Sequence, residues 1–497
     1  MFDPIISGLL NVLEPGNFIA LIAGTAIGII FGAIPGLGSS IGVIFLLPFT
    51  YNMDILTTLI VLISVYCGAT YAGSIPAILM NIPGTAPACM TLLDGFPLAQ
   101  KGLAGEALSV SAISSGIGGI ISGLALLFAL PVIAKIALSF GPAEYFALTL
   151  FGMSVITSVG TKDQVKAVIA MFLGFFLATV GATSIWGGER FTFGNQYLLT
   201  GFKLIPVLIG LFAISEIFIQ SQKSWEKGKS VIEKISMKFP PIKTLMGLWG
   251  TWIRSSLIGV VIGALPGQGG TVAAVIAYNE QRRWLKKPET LGTGIYEGVA
   301  APESANNAVT GSAMIPTLAL GIPGSPTTAV LIGAFLMQGI YPGPKLVFDR
   351  PDLLNTLFVS IVFCSILILL FGFYGVRYIA PVIQVPYTIL APIVALFCMW
   401  GAFGSSNDPY DILVVLIFGI IGFFMKKYGF SVVAMVLGFI IGPISEPALE
   451  QTLALYKYDY RELLYHPIAI IFLFLAIITL LYPHIHSLYK KRKGFEE

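Results

Sequence analysis

Charge is scarce in this chain: Asp, Glu, Lys and Arg make up 11% of its 497 residues, less than half of the roughly 25% usual in soluble domains. Hydrophobic residues reach 56% and the mean hydropathy is +0.88. A soluble globular protein is thereby excluded, and the expected class is an all-α polytopic membrane protein with room for about a dozen spans of roughly 20 residues. Histidine is nearly absent: His466, His484 and His486 all lie near the C-terminus. The four cysteines, Cys67, Cys89, Cys364 and Cys398, are far apart. Neither set has metal-ligand or disulfide spacing, so both read as packing and interfacial residues. There is no dense basic stripe for a phosphate backbone, which argues against nucleic acid as a partner. HExxH and GxxxxGK[ST] are missing as well, so no catalytic residue is assigned. No positive n-region precedes the first apolar segment, which is expected to be retained.

What basic residues there are set an orientation. None occurs before Lys101, six lysines fall between Ser221 and Lys243, and Lys490, Lys491, Arg492 and Lys493 sit in the tail. The positive-inside rule then places the central linker and the tail in the cytoplasm and the N-terminus outside. Apolar runs near 107–138, 143–160, 165–183 and 198–219, then near 353–376, 385–403, 411–425, 430–444 and 466–483, alternate in keeping with that placement. The expected organisation is a first membrane repeat over 1–220, a cytoplasmic linker over 221–243, a second repeat of opposite orientation over 244–445, and an extra helix with a tail over 446–497.

The repeat is carried by duplicated glycine-proline clusters. Gly32-Ala-Ile-Pro35-Gly36-Leu-Gly38 returns as Gly263-Ala-Leu-Pro266-Gly267-Gln-Gly269. Ile75-Pro76 leading to Pro83-Gly84-Thr85 returns as Ile315-Pro316 leading to Pro323-Gly324-Ser325. Pro35 and Pro266 stand 231 residues apart, whereas Pro83 and Pro323 stand 240 apart. Proline lacks an amide donor and glycine weakens a helix by about 1 kcal/mol, so each cluster predicts a broken helix. In the second copy, Arg254–Leu265 and Thr271–Gln281 are flanked by basic residues at both ends, which predicts a re-entrant hairpin entering from the cytoplasm. The first copy, Phe18–Phe49, has acidic flanks and longer arms, leaving both a mirror-image hairpin and two full passes open.

Four ordered motifs carry a family resemblance over nearly the whole length: Gly32–Ser40; Tyr71-Ala-Gly-Ser-Ile-Pro to Pro83-Gly84-Thr85; Leu93-Asp94-Gly95; and Gly298-Val-Ala-Ala-Pro-Glu-Ser-Ala-Asn-Asn down to Gly321-Ile-Pro-Gly324. The sequence resembles the large membrane subunit of the tripartite tricarboxylate transporters, the TctA family. That resemblance implies inner-membrane secondary transport of a di- or tricarboxylate driven by a cation gradient. It also implies a periplasmic substrate-binding protein and a small membrane subunit of four-helix type as partners. Gln268 and Tyr278–Gln281 give no handle on the substrate.

Paired breaks at matching places in two membrane halves point to a transporter's binding site. The substrate-binding expectation therefore falls on Pro35, Gly36, Ser39, Ser40, Asn81, Pro83, Gly84, Thr85, Pro266, Gly267, Gly269, Thr271, Pro323, Gly324, Ser325 and Thr327. Backbone amides freed there suit a carboxylate, and carbonyls with Ser and Thr hydroxyls suit Na⁺. Lone glycines such as Gly116, Gly118 and Gly119 read instead as close-packing positions. Glu303, Asn306 and Asn307 share a helix face by their i, i+3, i+4 spacing, with the asparagines expected to touch ligand. Glu303 has two readings, an intramembrane ion or proton site and a first-turn residue behind Pro302 at the membrane surface. Asp94 reads first as a turn or cap and second as an ion ligand, and Thr328 joins the ion-coupling candidates. Almost no Lys or Arg is expected near the breaks, which makes a co-bound cation, Na⁺ ahead of H⁺, the expected compensation for an anion. A passive anion channel is the alternative, since it too would contain broken helices.

Overall fold

A computed structural model describes residues 3–137, 139–158, 163–182, 188–222, 239–267, 269–375, 387–456, 461 and 465–492. Lys162, Gln268, Arg377 and most of the expected 221–243 linker lie outside the described residues. The described chain is almost wholly helical, with one two-residue antiparallel ladder pairing Gly181–Ala182 with Glu189–Arg190. Among the described residues six helices are long and apolar enough to cross a membrane, and five shorter apolar helices accompany them. The protein is an all-α polytopic membrane protein.

In the first half the helices are α1 (Asp3–Leu13), α2 (Pro15–Ala33), α3 (Gly38–Thr50), α4 (Ile55–Ala72), α5 (Ser74–Met80), α6 (Ala88–Gln100), α7 (Ala104–Ala137), α8 (Pro142–Ser158), α9 (Gln164–Ala178) and α10 (Leu204–Gln222). The second half contains α11 (Ile242–Gly247), α12 (Trp249–Gly263), α13 (Gly269–Trp284), α14 (Tyr296–Ser312), α15 (Met314–Leu320), α16 (Pro326–Met337), α17 (Pro344–Asp349), α18 (Pro351–Gly375), α19 (Tyr387–Ser406), α20 (Tyr410–Lys427) and α21 (Val432–Leu455). A last helix, α22 (Pro467–Arg492), packs on α8.

The packing repeats when the halves are exchanged. α2 lies along α4 as α12 lies along α14; α7 packs on α14 as α18 packs on α4; α9 packs on α21 as α20 packs on α10. Small residues make the closest of these contacts possible. A Cβ at Gly24 or Gly32 would stand 2.7 Å from Val61 O or Ala69 Cα, and one at Gly259 would stand 2.7 Å from Ala308 Cβ. In lipid, where apolar burial gives no net drive between helices, such backbone approach supplies the dispersion contacts that hold helices together. Gly118 likewise meets the Ser304 backbone of α14, and Gly116 and Gly119 meet Leu369 and Ser365 of α18, as lone packing glycines would.

Both arms of the second hairpin run further than the apolar stretch suggested, α12 with 15 residues and α13 with 16. Their outer ends are tied together: Arg254 donates to Gln281 and stacks over Trp284 at 4.6 Å. These polar partners let the helix continue past its apolar part. At 1.5 Å per residue the arms measure about 22 and 24 Å, short of a 30 Å hydrocarbon core.

Candidate functional site

The breaks have one backbone solution used twice. Gly36 and Gly38 have φ of +90° and +63°, and Gly267 and Gly269 have +76° and +62°. These are left-handed values open to glycine, so the duplicated glycines answer a geometric need. After α5 the chain turns through Asn81 at φ +59°, and after α15 through Gly321 at +72°. Ile82 and Ile322 then donate backbone hydrogen bonds to Pro76 and Pro316 at 3.4 and 3.2 Å. Gly267 N donates to Pro323 O at 3.2 Å, joining the two breaks of the second half.

All four breaks meet at one cavity of about 660 Å³. Its wall is built of repeat-related residues: Gly36 with Gly267, Gly38 with Gly269, Ser40 with Thr271, Tyr66 with Asn306, and Thr85 with Ser325. Four helices begin on this wall, α3 at Gly38, α6 after Pro87, α13 at Gly269 and α16 after Ser325. Each start carries a partial positive charge, but at α6 the amides of Ala88, Cys89 and Met90 donate to Thr85 O, Ala86 O and Pro87 O, and at α16 Pro326 has no N–H and Thr328 N donates to Ser325 Oγ. Hydroxyls cross between the halves, with Ser39 and Ser40 within 2.7 and 3.1 Å of Thr327 and Tyr66 within 3.4 Å of Ser325. Asn306 donates to Thr70 O at 3.3 Å. The arrangement offers amides and hydroxyls to an anion and oxygens to a hard cation.

The chain belongs to the TctA family. The model of the tripartite tricarboxylate transporter TctA family matches residues 18–437. An uncharacterized 52.8 kDa protein in the TAR-I ttuC' 3'region of Agrobacterium vitis is 34% identical across 99% of this chain and 98% of its own length. An uncharacterized protein in the TAR-II ttuC' 3'region of the same organism is 32% identical over 47% of this chain and 97% of its own length. No solved structure matches.

Several expected site residues of this TctA-family chain stand away from the cavity wall. Pro35, Pro83, Pro266, Pro323 and Gly324 shape the breaks without lining the cavity. Asn81 is exposed and serves as the left-handed cap of α5, where the second half uses Gly321; its side chain is not a cavity oxygen. The Thr328 hydroxyl accepts from Ser325 N at 2.8 Å in a capping box at the start of α16 and does not line the cavity. Asn307 points toward α7, donating to Ser115 at 2.8 Å.

Asp94 is fully buried in mid-α6, not in a turn of its own. Its carboxylate accepts from Gly292 N, Gly294 N and Ile295 N at 2.8–3.0 Å and from Tyr278 Oη at 2.8 Å. It thus caps the loop that feeds α14, and its oxygens are engaged away from the cavity. Glu303 is also buried, two turns inside α14, so the surface first-turn reading does not hold. Thr91 and Ser115 donate to its two oxygens at 2.5 and 3.0 Å. Among the described residues no Lys or Arg pairs with it. It stands one helical turn from Asn306, behind the wall.

The expectation of almost no Lys or Arg near the breaks meets one exception. Lys426, from the last turn of α20, lines the cavity, 2.7 Å from Glu216 of α10, which lines it too. Both residues are far in sequence from any break and reach it only because α20 packs on α10. Tyr66, Thr70 and Phe212 were likewise missed. Tyr66 was open to discovery, because it occupies in α4 the place of Asn306 in α14, 240 residues on.

Proposed function

We propose that this chain is the large membrane subunit of a secondary transporter that imports a small di- or tricarboxylate across the inner membrane, driven by a cation gradient. In this reading the cavity is the substrate site. The observation that carries it is the convergence of four helix starts, two from each repeat, on one cavity. Each start is worth about +0.5 of a charge, so together they supply about +2, enough for a dicarboxylate and short of a fully ionised tricarboxylate. A bound cation closes that gap. The hydroxyls of Ser39, Ser40, Tyr66, Ser325 and Thr327 and the opened backbone suit Na⁺, while Glu303, one turn away, is the group through which a proton would couple.

Alternating access follows from two repeats of opposite orientation around a shared site, because the halves can exchange conformations. The 1–220 and 244–445 division, with a cytoplasmic linker and tail, rests on basic residues and on the repeat packing. Lys166 donates to Tyr428 O at 3.0 Å, which puts the basic end of α9 beside the basic end of α20, as that topology requires. A periplasmic binding protein and a small membrane subunit complete the system in this reading.

The test is uptake of labelled citrate by proteoliposomes holding all three components, with Na⁺ and pH gradients imposed one at a time. Saturable accumulation that needs the inward Na⁺ gradient is expected. Dependence on pH alone would move the coupling to Glu303. Downhill, non-saturating flux that ignores both gradients would replace the transporter with a channel.

A further inference from the structure

Much of the cavity wall follows the repeat; a clear departure is one flank, where α10 and α20 contribute Phe212, Glu216 and Lys426. Glycine contacts relate this flank to its counterpart to within one helical turn. A Cβ at Gly210 would stand 2.6 Å from Val415 O and 2.9 Å from Gly419 N, and one at Gly438 would stand 2.9 Å from Met171 C and 3.0 Å from Phe175 N. Matching these two glycines places Ile444 where Glu216 would be and Ala182, just past the end of α9, where Lys426 would be. Matching Gly422 with Gly174, which meet Leu211 and Met435, shifts the pair one turn to Ile440 and Ala178, also apolar. All four line a separate cavity of about 510 Å³ whose wall is mostly apolar. The same helix packing thus stands on one side with an ion pair and on the other without, so the architecture itself does not call for the pair.

Its geometry is that of a carboxylate held by two donors. Lys426 Nζ donates to one Glu216 oxygen at 2.7 Å and Gln220 Nε2 donates to the other at 2.8 Å. Gln220 sits directly over the first break, since a Cβ at Gly36 would come within 2.5 Å of its Nε2. Both charged side chains keep partial exposure, 26% for Lys426 and 20% for Glu216. A partly hydrated pair of this kind exchanges partners at small cost. We propose that Lys426, on the cavity wall, forms the subsite for one carboxylate of the transported anion, and that Glu216, held in place by Gln220, is a built-in competitor for it. The assignment rests on the carboxylate reading of the cavity. Lys426 holds one carboxylate at the flank while the helix starts face the rest of the anion.

The competitor makes the test sharp, because its removal and the removal of the donor act in opposite directions. Citrate uptake by the reconstituted three-component system is measured for native protein, Glu216→Gln, Lys426→Met and Lys426→Arg, with citrate-induced thermal shifts of each purified variant in nanodiscs. A charge-assisted hydrogen bond corresponds to about tenfold in binding, so Lys426→Met should raise the citrate KM about tenfold and Lys426→Arg should restore most of it. Glu216→Gln should lower the KM, by about threefold or more, and enlarge the thermal shift. A merely structural ion pair would make both single variants worse alike, and that result, or no change in KM for either, overturns the subsite. Should Lys426→Met fail to fold, Glu216→Gln decides alone: a KM that is unchanged or raised refutes the proposal. Native protein that neither binds nor imports citrate would instead remove the carboxylate reading on which the subsite rests.

Discussion

The centre of the molecule and its α10–α20 flank differ in the way they use the repeat. At the centre each structural solution occurs twice: the left-handed glycines of one break are matched in the other, and Tyr66 faces the cavity where Asn306 does. At the flank the packing is duplicated but the chemistry is not, with Lys426 and Glu216 on one side and Ala182 and Ile444 on the other. Backbone geometry is thus what the duplication preserved, and side-chain charge is where the halves parted. In the proposed transporter a symmetric frame would suit a site that opens toward either side in turn, and an asymmetric flank would give a bound anion one preferred orientation.

The strongest way to break this comparison is to disturb its matched half. Gly36→Val and Gly267→Val each place a β-branched residue at positive φ, a strain of roughly 1–2 kcal/mol or more at the cavity itself. Both should reduce citrate uptake by about 100-fold or more while the protein still reaches the membrane, since strain together with a blocked wall need add only about 2.7 kcal/mol to the barrier for that loss. Loss from one substitution and not the other would show that the breaks are not equivalent. Next comes the unmatched carboxylate. Glu303→Leu leaves the Thr91 and Ser115 hydroxyls buried without their acceptor and should cost about 2–4 kcal/mol in unfolding experiments in detergent. At its repeat mate, Ile63→Val should cost only about 1 kcal/mol.

Smaller effects sharpen the boundary of the site. Asp94→Asn gives up acceptor capacity for three amides and a phenol and should lower stability by about 1.5–3 kcal/mol. Because Asp94 lies off the cavity wall, the citrate KM should stay where it is; a raised KM would extend the site to α6. The mildest change is Asn81→Gly, which gives the first half the residue that the second half has at Gly321. Stability should move by less than about 1 kcal/mol, as a thermal melt would show, because glycine takes left-handed φ without strain.

Much of this was legible in the sequence for a physical reason. Proline beside glycine in an apolar run has few uses other than a break, and a break recurring at fixed spacing marks a repeat. The spans near 143–160, 165–183 and 411–425 are found as α8, α9 and α20 within a few residues. What stayed hidden depended on which way a side chain turns. Thr328 and Asn81 are polar and adjacent to breaks, yet one closes a capping box and the other caps a helix. Lys426 reads in sequence as an ordinary basic end of a span. Only the packing of α20 on α10 brings it to the cavity, and no local pattern encodes that contact.

The central claim, that repeat-related residues from the two halves line one substrate cavity, is tested most directly by cysteine protection. Cys89 is the exposed native thiol among the four, so Ser40→Cys and Thr271→Cys are each made in a Cys89→Ser background. The rate of reaction with a small charged thiol reagent is then measured with and without citrate. Citrate is expected to slow labelling at both positions alike and to leave a cysteine at Ala182, in the apolar cavity, unaffected. Labelling at Ser40 and Thr271 that ignores citrate, in protein that imports citrate normally, would contradict that claim.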